Sequence, residues 1–452
     1  MTDGIAILEV DNPPVNPLSD GVRHGLIESM EKAESDDSVV GIVLTGKGRS
    51  FIAGADISEF GQQIEGPSIH DAFEKIEKST KPVVAAINGS ALGGGLETAL
   101  CCHYRVSSKQ GFIGLPEVNL GLLPGAGGTQ RLPRLVGPAE ALKIMLSGRH
   151  IPAVKAVDMG VIDSLSEGGD IVEDAVAFAK DVAEKNETHP LVRDLNEKVL
   201  AARGDENIIS EARALAAKTR KGQFAPGKII QCVEEAINLD DFDEGMKKEA
   251  EYFIECLLNP QREAMIHIFF GERAASKIND VPKETPKMDI NKAGIIGSGT
   301  MGGGIAMCFA NIGIPVHIVD QDEENLKKGL AAIERNYKFM VDRGRMSAEQ
   351  MEKTFGLISS GLSYEEISDV DIVIEAVYEN LDLKLEIFKK LDEAVKDDAI
   401  LASNTSGLDV DALADCTKRP EKVVGTHFFS PANVMRLLEV VRGEKTSNET
   451  LA

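Results

Sequence analysis

Basic residues are in short supply. The 452-residue chain sets 49 Lys plus Arg against 73 Asp plus Glu, a formal net charge of −24. That balance repels phosphate backbones and argues against nucleic acid as a partner, so any anionic ligand must be held by local donors. Cysteine is sparse as well: six residues, at 101, 102, 232, 256, 308 and 416, make no CxxC pair and no even spacing. A disulfide framework is therefore not expected, a reduced intracellular chain is, and no metal site is anticipated. The first residues, MTDGIAILEVDNPPVN, have neither a basic n-region nor an apolar h-region, so they carry no secretion or import signal. A cytoplasmic location is the expectation, with a peroxisomal one as the alternative if the chain is eukaryotic and its C-terminal targeting signal was lost by truncation. One stretch, Ala293–Val319, lacks Asp, Glu, Lys and Arg and is long enough to mimic a membrane span. It holds seven glycines and Pro315, however, and breaks into a strand (AGIIG), a Gly turn, a helix and a second strand (PVHIV) ending at Asp320. This predicts a βαβ unit buried on both sides, and no membrane span.

What is present divides the chain. Residues 1–185 alternate short apolar strands, such as GIAILEV, VVGIVLTG and PVVAAING, with helical stretches and Gly turns, which predicts an α/β core. Residues 186–285 read as helical, and a proline-bearing linker, VPKETPK, begins at Val281. Residues 286–452 form a second α/β block with strand-like runs AGIIG, PVHIV, DIVIEAV, AILASN, VVGTHFF and LLEVV.

The first block carries KPVVAAINGSALGGGLETALCCHYR. Between Lys81 and Arg105 its only formally charged residue is Glu97. A buried carboxylate is costly and shifts its pKa upward, so Glu97 is either a specifically paired structural residue or a proton-transfer group. The three preceding glycines let a backbone N–H face a ligand at a helix N-terminus. Glu117, twenty residues on, follows Pro116 in a loop-like stretch with apolar neighbours; alone it reads as readily as a solvated surface residue. Gly54-Ala55-Asp56 can present a second backbone N–H. Two such donors make an oxyanion hole, beside which two glutamates can move protons to and from a substrate carbon and a water.

The second block carries Gly297-Ser-Gly299-Thr-Met-Gly302, with a strand before it, a helix after it, and Asp320 at the end of the next strand. In that context the pattern is a dinucleotide fingerprint with the pyrophosphate on the helix N-terminus. An acidic residue at the position of Asp320 bonds a ribose 2′-hydroxyl and repels a 2′-phosphate, so NAD is expected over NADP. His427 ends VVGTHFF and Glu439 interrupts LLEVV. A histidine at a strand end is more often a packing residue, but a carboxylate among Leu437, Leu438, Val440 and Val441 needs a partner if it faces the interior. A His–Glu pair would satisfy it and orient the imidazole.

FIAGADI, INGSALGGGLE, PEVNLGLLPGAGGTQRL and GPAEALKIMLSG, in that order, resemble the crotonase, or enoyl-CoA hydratase/isomerase, superfamily. The resemblance implies that the N–H groups of Ala55 and Gly94 hold the thioester oxygen of an acyl-CoA. It further implies that Glu97 activates a water for attack on C3 and Glu117 delivers a proton to C2, with double-bond isomerisation through Glu117 as a side activity. GSGTMGGGIA, IVD, VIEAVYEN, ASNTSGL and HFFSPANVMRLLEVVRG resemble the nucleotide-binding domain of the 3-hydroxyacyl-CoA dehydrogenase family. That likeness implies His427 as the base taking the 3-hydroxyl proton, Glu439 as its partner, and Ser406 and Asn404 at the substrate and cofactor. Met301, Asp320, Val377, Glu379 and Lys384 would line the NAD site with Gly297, Gly299 and Gly302. Ser430 stands where many relatives have Asn, so altered contacts near the cofactor are expected there.

Together the halves resemble the multifunctional fatty-acid β-oxidation family. The implied architecture is a crotonase-like ββα spiral, a helical connecting region and a Rossmann-type NAD-binding domain. The chemistry links them, since hydrating an enoyl-CoA yields the 3-hydroxyacyl-CoA that the dehydrogenase oxidises. In that family further helical domains follow the Rossmann domain. The chain is thus expected to be truncated, with a complete hydratase and an NAD-binding but impaired dehydrogenase half. Completion of the dehydrogenase site by a second chain or a separate C-terminal fragment, and a non-catalytic acyl-CoA or NAD-binding module or scaffold, are the other readings. Acyl-CoA thioesters are the expected ligands, with thiolase or self-association left open.

Overall fold

The computed structural model describes residues 1–59, 66–185, 188–275 and 277–452. The chain folds as two compact units, Met1–Ala275 and Ser276–Ala452. Residues 186 and 187, next to the expected end of the first block, lie outside the described residues.

In the first unit the strands are β1 (Ile5–Val10), β2 (Gly41–Gly46), β3 (Ser50–Ile52), β4 (Val83–Ile87), β5 (Ser90–Leu92), β6 (Tyr104–Ser107), β7 (Phe112–Gly114), β8 (Ile151–Pro152) and β9 (Ser164–Leu165). They make a five-stranded sheet in the order β1-β2-β4-β6-β9 and a four-stranded sheet, β3-β5-β7-β8. The larger sheet is parallel throughout. Every residue of β2 and β4 is buried, as parallel strands covered on both faces require. One core joins Leu44, Phe51, Ile87, Leu96 and Leu123 of the α/β part with Ile209, Ile229, Val233 and Cys256 from the helices that follow. The helical stretch after residue 186 therefore shares the core of the part before it as far as Leu257, and the unit runs on to Ala275. Its helix Phe242–Leu258 is started by Asp241, whose side chain accepts the Asp243 N–H, a standard N-cap.

The second unit is built on β10 (Ala293–Ile296), β11 (Val316–Val319), β12 (Ile358–Gly361), β13 (Ile372–Glu375), β14 (Ile400–Ser403), β15 (Val423–Phe428) and β16 (Leu438–Val441). Their order is β12-β11-β10-β13-β14-β15-β16; all neighbours are parallel except β15 and β16. The order reverses between β10 and β13, and in such sheets ligands enter at the carboxyl ends of the strands flanking the reversal. The uncharged run from Ala293 is indeed strand, helix (Thr300–Asn311) and strand. No helix among the described residues is long and apolar enough to cross a membrane. Two elements differ from expectation. Strand β12, ISSG, is half polar because it lies at the sheet edge, paired with β11. The apolar run LLEVV lies at the opposite edge, where all four residues of β16 are exposed, so Glu439 does not face the interior.

Candidate active sites

Strand β5 passes through Gly93 into the helix Gly94–Cys101, all of whose residues are buried. Gly93 has φ +54, and a Cβ there would stand 2.7 Å from Glu117 Oε1. Only glycine therefore makes this turn while the Glu117 carboxylate rests against it. A Cβ on Gly94 would lie 3.1 Å from the Ala55 nitrogen, so these two backbone segments run side by side. Neither the Ala55 nor the Gly94 N–H donates to another backbone group among the described residues. The structure thus brings together Ala55, Gly94, Glu97 and Glu117.

The two glutamates differ in what holds them. Glu97 is 3 % exposed, and its Oε1 accepts the N–H groups of Ala126 and Gly128, both at 2.8 Å. Burial pushes its pKa up, while those two bonds and the Arg131 charge pull back. Glu117 opens the single 3-10 turn Glu117–Leu120. Its Oε2 is out of water and has no hydrogen-bond partner among the described residues. Burial, then the charges of Glu97 and Glu249, hold its carboxyl well above the usual range. Bonds to the charged form favour ionisation and an unpartnered buried oxygen favours protonation, so hydrogen bonding biases the two carboxyls in opposite directions.

A third carboxylate was missed in the sequence. Glu249, on the helix Phe242–Leu258, is fully buried. Its Oε1 accepts the Gly127 N–H at 2.6 Å, and its Oε2 accepts the Thr129 N–H at 3.2 Å and the Thr129 hydroxyl. Burial, then the Glu97 charge, pushes it up to about 8. The one available signal was spacing: Phe242, Gly245, Glu249 and Cys256 form the buried stripe of this helix, and a carboxylate on a helix's apolar stripe needs a partner.

In the second unit the glycine loop follows β10. A Cβ on Gly302 would stand 1.9 Å from the Gly297 carbonyl oxygen, whereas one on Gly299 would meet nothing within 4 Å. The turn is closed beneath and open above, at the N-terminus of the helix Thr300–Asn311, which suits a pyrophosphate. Asp320 Oδ2 accepts the Ser298 N–H at 2.8 Å and the Ser298 hydroxyl at 2.6 Å. Asp320 therefore ties the second strand to the loop. Met301 and Val377 are half-buried, and Val377 packs near Gly297, 3.4 Å from where its Cβ would be.

His427 and Glu439 are directly opposed in the β15–β16 register, and His427 Nδ1 lies 2.7 Å from Glu439 Oε2. The neighbouring polar residues form one network. Asn404 Oδ1 accepts the Phe428 N–H at 3.1 Å. Glu379 Oε1 accepts the Thr405 hydroxyl at 2.6 Å and the Ser406 N–H at 2.8 Å. These bonds and Lys384 hold the Glu379 carboxyl low against the opposing effect of burial. Lys384 is wholly buried, 3.0 Å from Glu375 Oε2 and 3.2 Å from Glu379 Oε2; it also donates to the Asn404 carbonyl at 3.0 Å. Its ammonium is thus buried between Glu375 and Glu379. Ser406 and Ser430 are exposed.

Comparison with known proteins matches residues 1–225 to the enoyl-CoA hydratase/isomerase family and residues 292–452 to the family described as 3-hydroxyacyl-CoA dehydrogenase, NAD binding domain. One chain thus matches a hydratase/isomerase family over its first part and a dehydrogenase NAD-binding family over its last. It is similar to the peroxisomal bifunctional enzyme of Danio rerio, 41% identical over 461 residues, covering 99% of this chain and 62% of that protein. The peroxisomal bifunctional enzyme of Homo sapiens is 38% identical over 457 residues, covering 100% and 62% respectively. The peroxisomal fatty acid beta-oxidation multifunctional protein AIM1 of Arabidopsis thaliana is 38% identical over 461 residues, covering 99% and 63%. The chain thus spans 62–63% of the length of these relatives. The first unit has a crotonase-like α/β fold and the second a Rossmann-type domain, whose cofactor is NAD.

Proposed function

We propose that the first unit hydrates trans-2-enoyl-CoA thioesters to 3-hydroxyacyl-CoA. The observation that carries this reading is the unequal bonding of Glu97 and Glu117. Glu97, ionised, takes a proton from the water that attacks C3. Glu117, protonated, gives its proton to C2. The N–H groups of Ala55 and Gly94 bond the thioester oxygen as it gains negative charge, where preorganised donors matter most. The test is loss of the conjugated enoyl thioester from crotonyl-CoA on the purified chain; wild type active and Glu117→Gln nearly inactive is the expected result. Robust hydration by Glu117→Gln would sink it.

The second unit is a 3-hydroxyacyl-CoA dehydrogenase half that consumes the hydratase product. NAD, when bound, supplies the hydride acceptor. Gly297, Gly299, Gly302 and the helix beginning at Thr300 would hold its pyrophosphate, Asp320 its ribose, and Met301, Val377 and Glu379 its flank. His427 takes the 3-hydroxyl proton on Nε2 while Glu439 fixes Nδ1 and stabilises the imidazolium. Asn404 and Ser406 face the substrate and cofactor contacts with Ser430. The His427 and Glu439 side chains are 23% and 53% exposed, so water reaches this pair. Hydration by this chain is therefore expected to outpace its oxidation of 3-hydroxybutyryl-CoA, which a paired assay for hydration and NADH formation on one preparation measures. The peroxisomal names of the relatives favour a peroxisomal location for this chain over the cytoplasmic expectation; fractionation against a peroxisomal matrix marker tests it.

A further inference from the structure

The segment Ala126-Gly127-Gly128-Thr129 divides its backbone donors between two carboxylates. The N–H groups of Ala126 and Gly128 go to Glu97 Oε1, and those of Gly127 and Thr129 go to Glu249, with the Thr129 hydroxyl added. Consecutive donors thus point to opposite sides, and Glu249 fixes one side from a helix more than a hundred residues away in sequence. Resting on the hydratase reading of Glu97, we propose that Glu249 is a positioning residue: by anchoring Gly127 and Thr129 it turns the N–H groups of Ala126 and Gly128 onto the water-activating carboxylate.

The groups acting electrostatically on this carboxylate are Glu97 and Arg131; Glu249 in turn acts on Glu117 of the turn Glu117–Leu120 and on Cys232 of the helix Ala225–Asn238. Only Arg131 among them is cationic, and its Nε is already committed to Glu77 at 2.9 Å. Glu249 is pushed up to about 8 by burial and the Glu97 charge, while the charge that acts on Glu97 is that of Arg131. Glutamine at 249 keeps the size of the side chain. What it removes is one acceptor, because the amide NH2 faces either the Gly127 or the Thr129 N–H, donor against donor. The segment loosens, its bonds to the charged Glu97 weaken, and the Glu97 pKa rises.

The experiment compares wild type, Glu249→Gln and Glu249→Ala in the full 452-residue chain, following crotonyl-CoA hydration against pH together with thermal unfolding. A misplacement of about 1 Å can cost on the order of 10²-fold in rate, so kcat is expected to fall by roughly ten- to a hundredfold with KM little changed. The acid limb of kcat moves to higher pH in both variants. If Glu249→Ala does not fold, the near-isosteric Glu249→Gln decides. Unchanged kcat and limb in a folded variant, or lower kcat with the limb in place, overturns the positioning role while leaving the hydratase reading intact. Absence of hydration in wild type overturns both.

Discussion

Glu97 Oε1 takes two backbone N–H groups, whereas Glu117 Oε2, equally out of water, takes none. On the proposed hydratase reading, this inequality makes Glu97 the base and Glu117 the acid. Glutamine at 117 keeps the size and neutrality of the protonated carboxyl but has no proton to give. Glu117→Gln is expected to lower kcat for hydration by roughly 10²–10⁴-fold, the usual worth of a positioned acid, with thermal unfolding at or above wild type. A stability loss in place of a rate loss would contradict the assignment.

Stability of the first unit should fall as pH rises. Glu97, Glu117 and Glu249 are all raised above the ordinary 4.5 by burial. A carboxyl whose folded pKa is raised lends full stability below its unfolded pKa and loses it as pH climbs through the folded one. For Glu249 that window runs from 4.5 to about 8. The unfolding midpoint of the first unit is expected to decline across it, and Glu249→Gln to flatten the slope. A midpoint that climbs steadily from pH 5 to 8 in wild type, with the same slope in the variant, would refute this.

Much of the site was readable because the chemistry sits next to glycine. Gly93 and Gly302 are fixed by close approach, to Glu117 Oε1 and to the Gly297 carbonyl, and sequence motifs of this kind survive as local strings. The His427–Glu439 pair was readable because sheet register puts the two residues opposite each other. Glu249 was not, since its partners are backbone N–H groups 120 and 122 residues away, and no local string records a long-range bond to the main chain. Strand β12 was missed for a different reason: an edge strand with one neighbour needs few apolar residues.

Gly94→Ala probes the paired donors. Its Cβ would stand 3.1 Å from the Ala55 nitrogen and 3.2 Å from Leu18 Cδ1, tight enough to spread the two N–H groups. Loss of one such donor costs about 10²–10³-fold. The variant is expected to fold, to keep NAD binding by the second unit, and to lose hydration toward that range in kcat. Wild-type turnover would remove Gly94 from the oxyanion site.

Lys384 tests the second unit. Its side chain and that of Glu375 are both 0% exposed and 3.0 Å apart, and Glu375 also accepts the Ser403 hydroxyl at 2.7 Å and the Val377 N–H at 2.8 Å. Removing one member of a buried pair strands the other charge, at about 3–5 kcal/mol, while replacing both by apolar residues costs far less. Lys384→Met alone should therefore lower the melting temperature of the second unit more than Lys384→Met with Glu375→Leu. It should also weaken NAD binding, because Glu379 loses its cation at 3.2 Å and with it the anchor for Thr405 and Ser406. Hydration by the first unit stays at the wild-type rate, so differential unfolding and an NAD titration on one preparation separate the effects. If the single variant melts like wild type, the ion pair contributes nothing to the unit's stability; if only NAD affinity survives unchanged, Glu379 does not reach the cofactor.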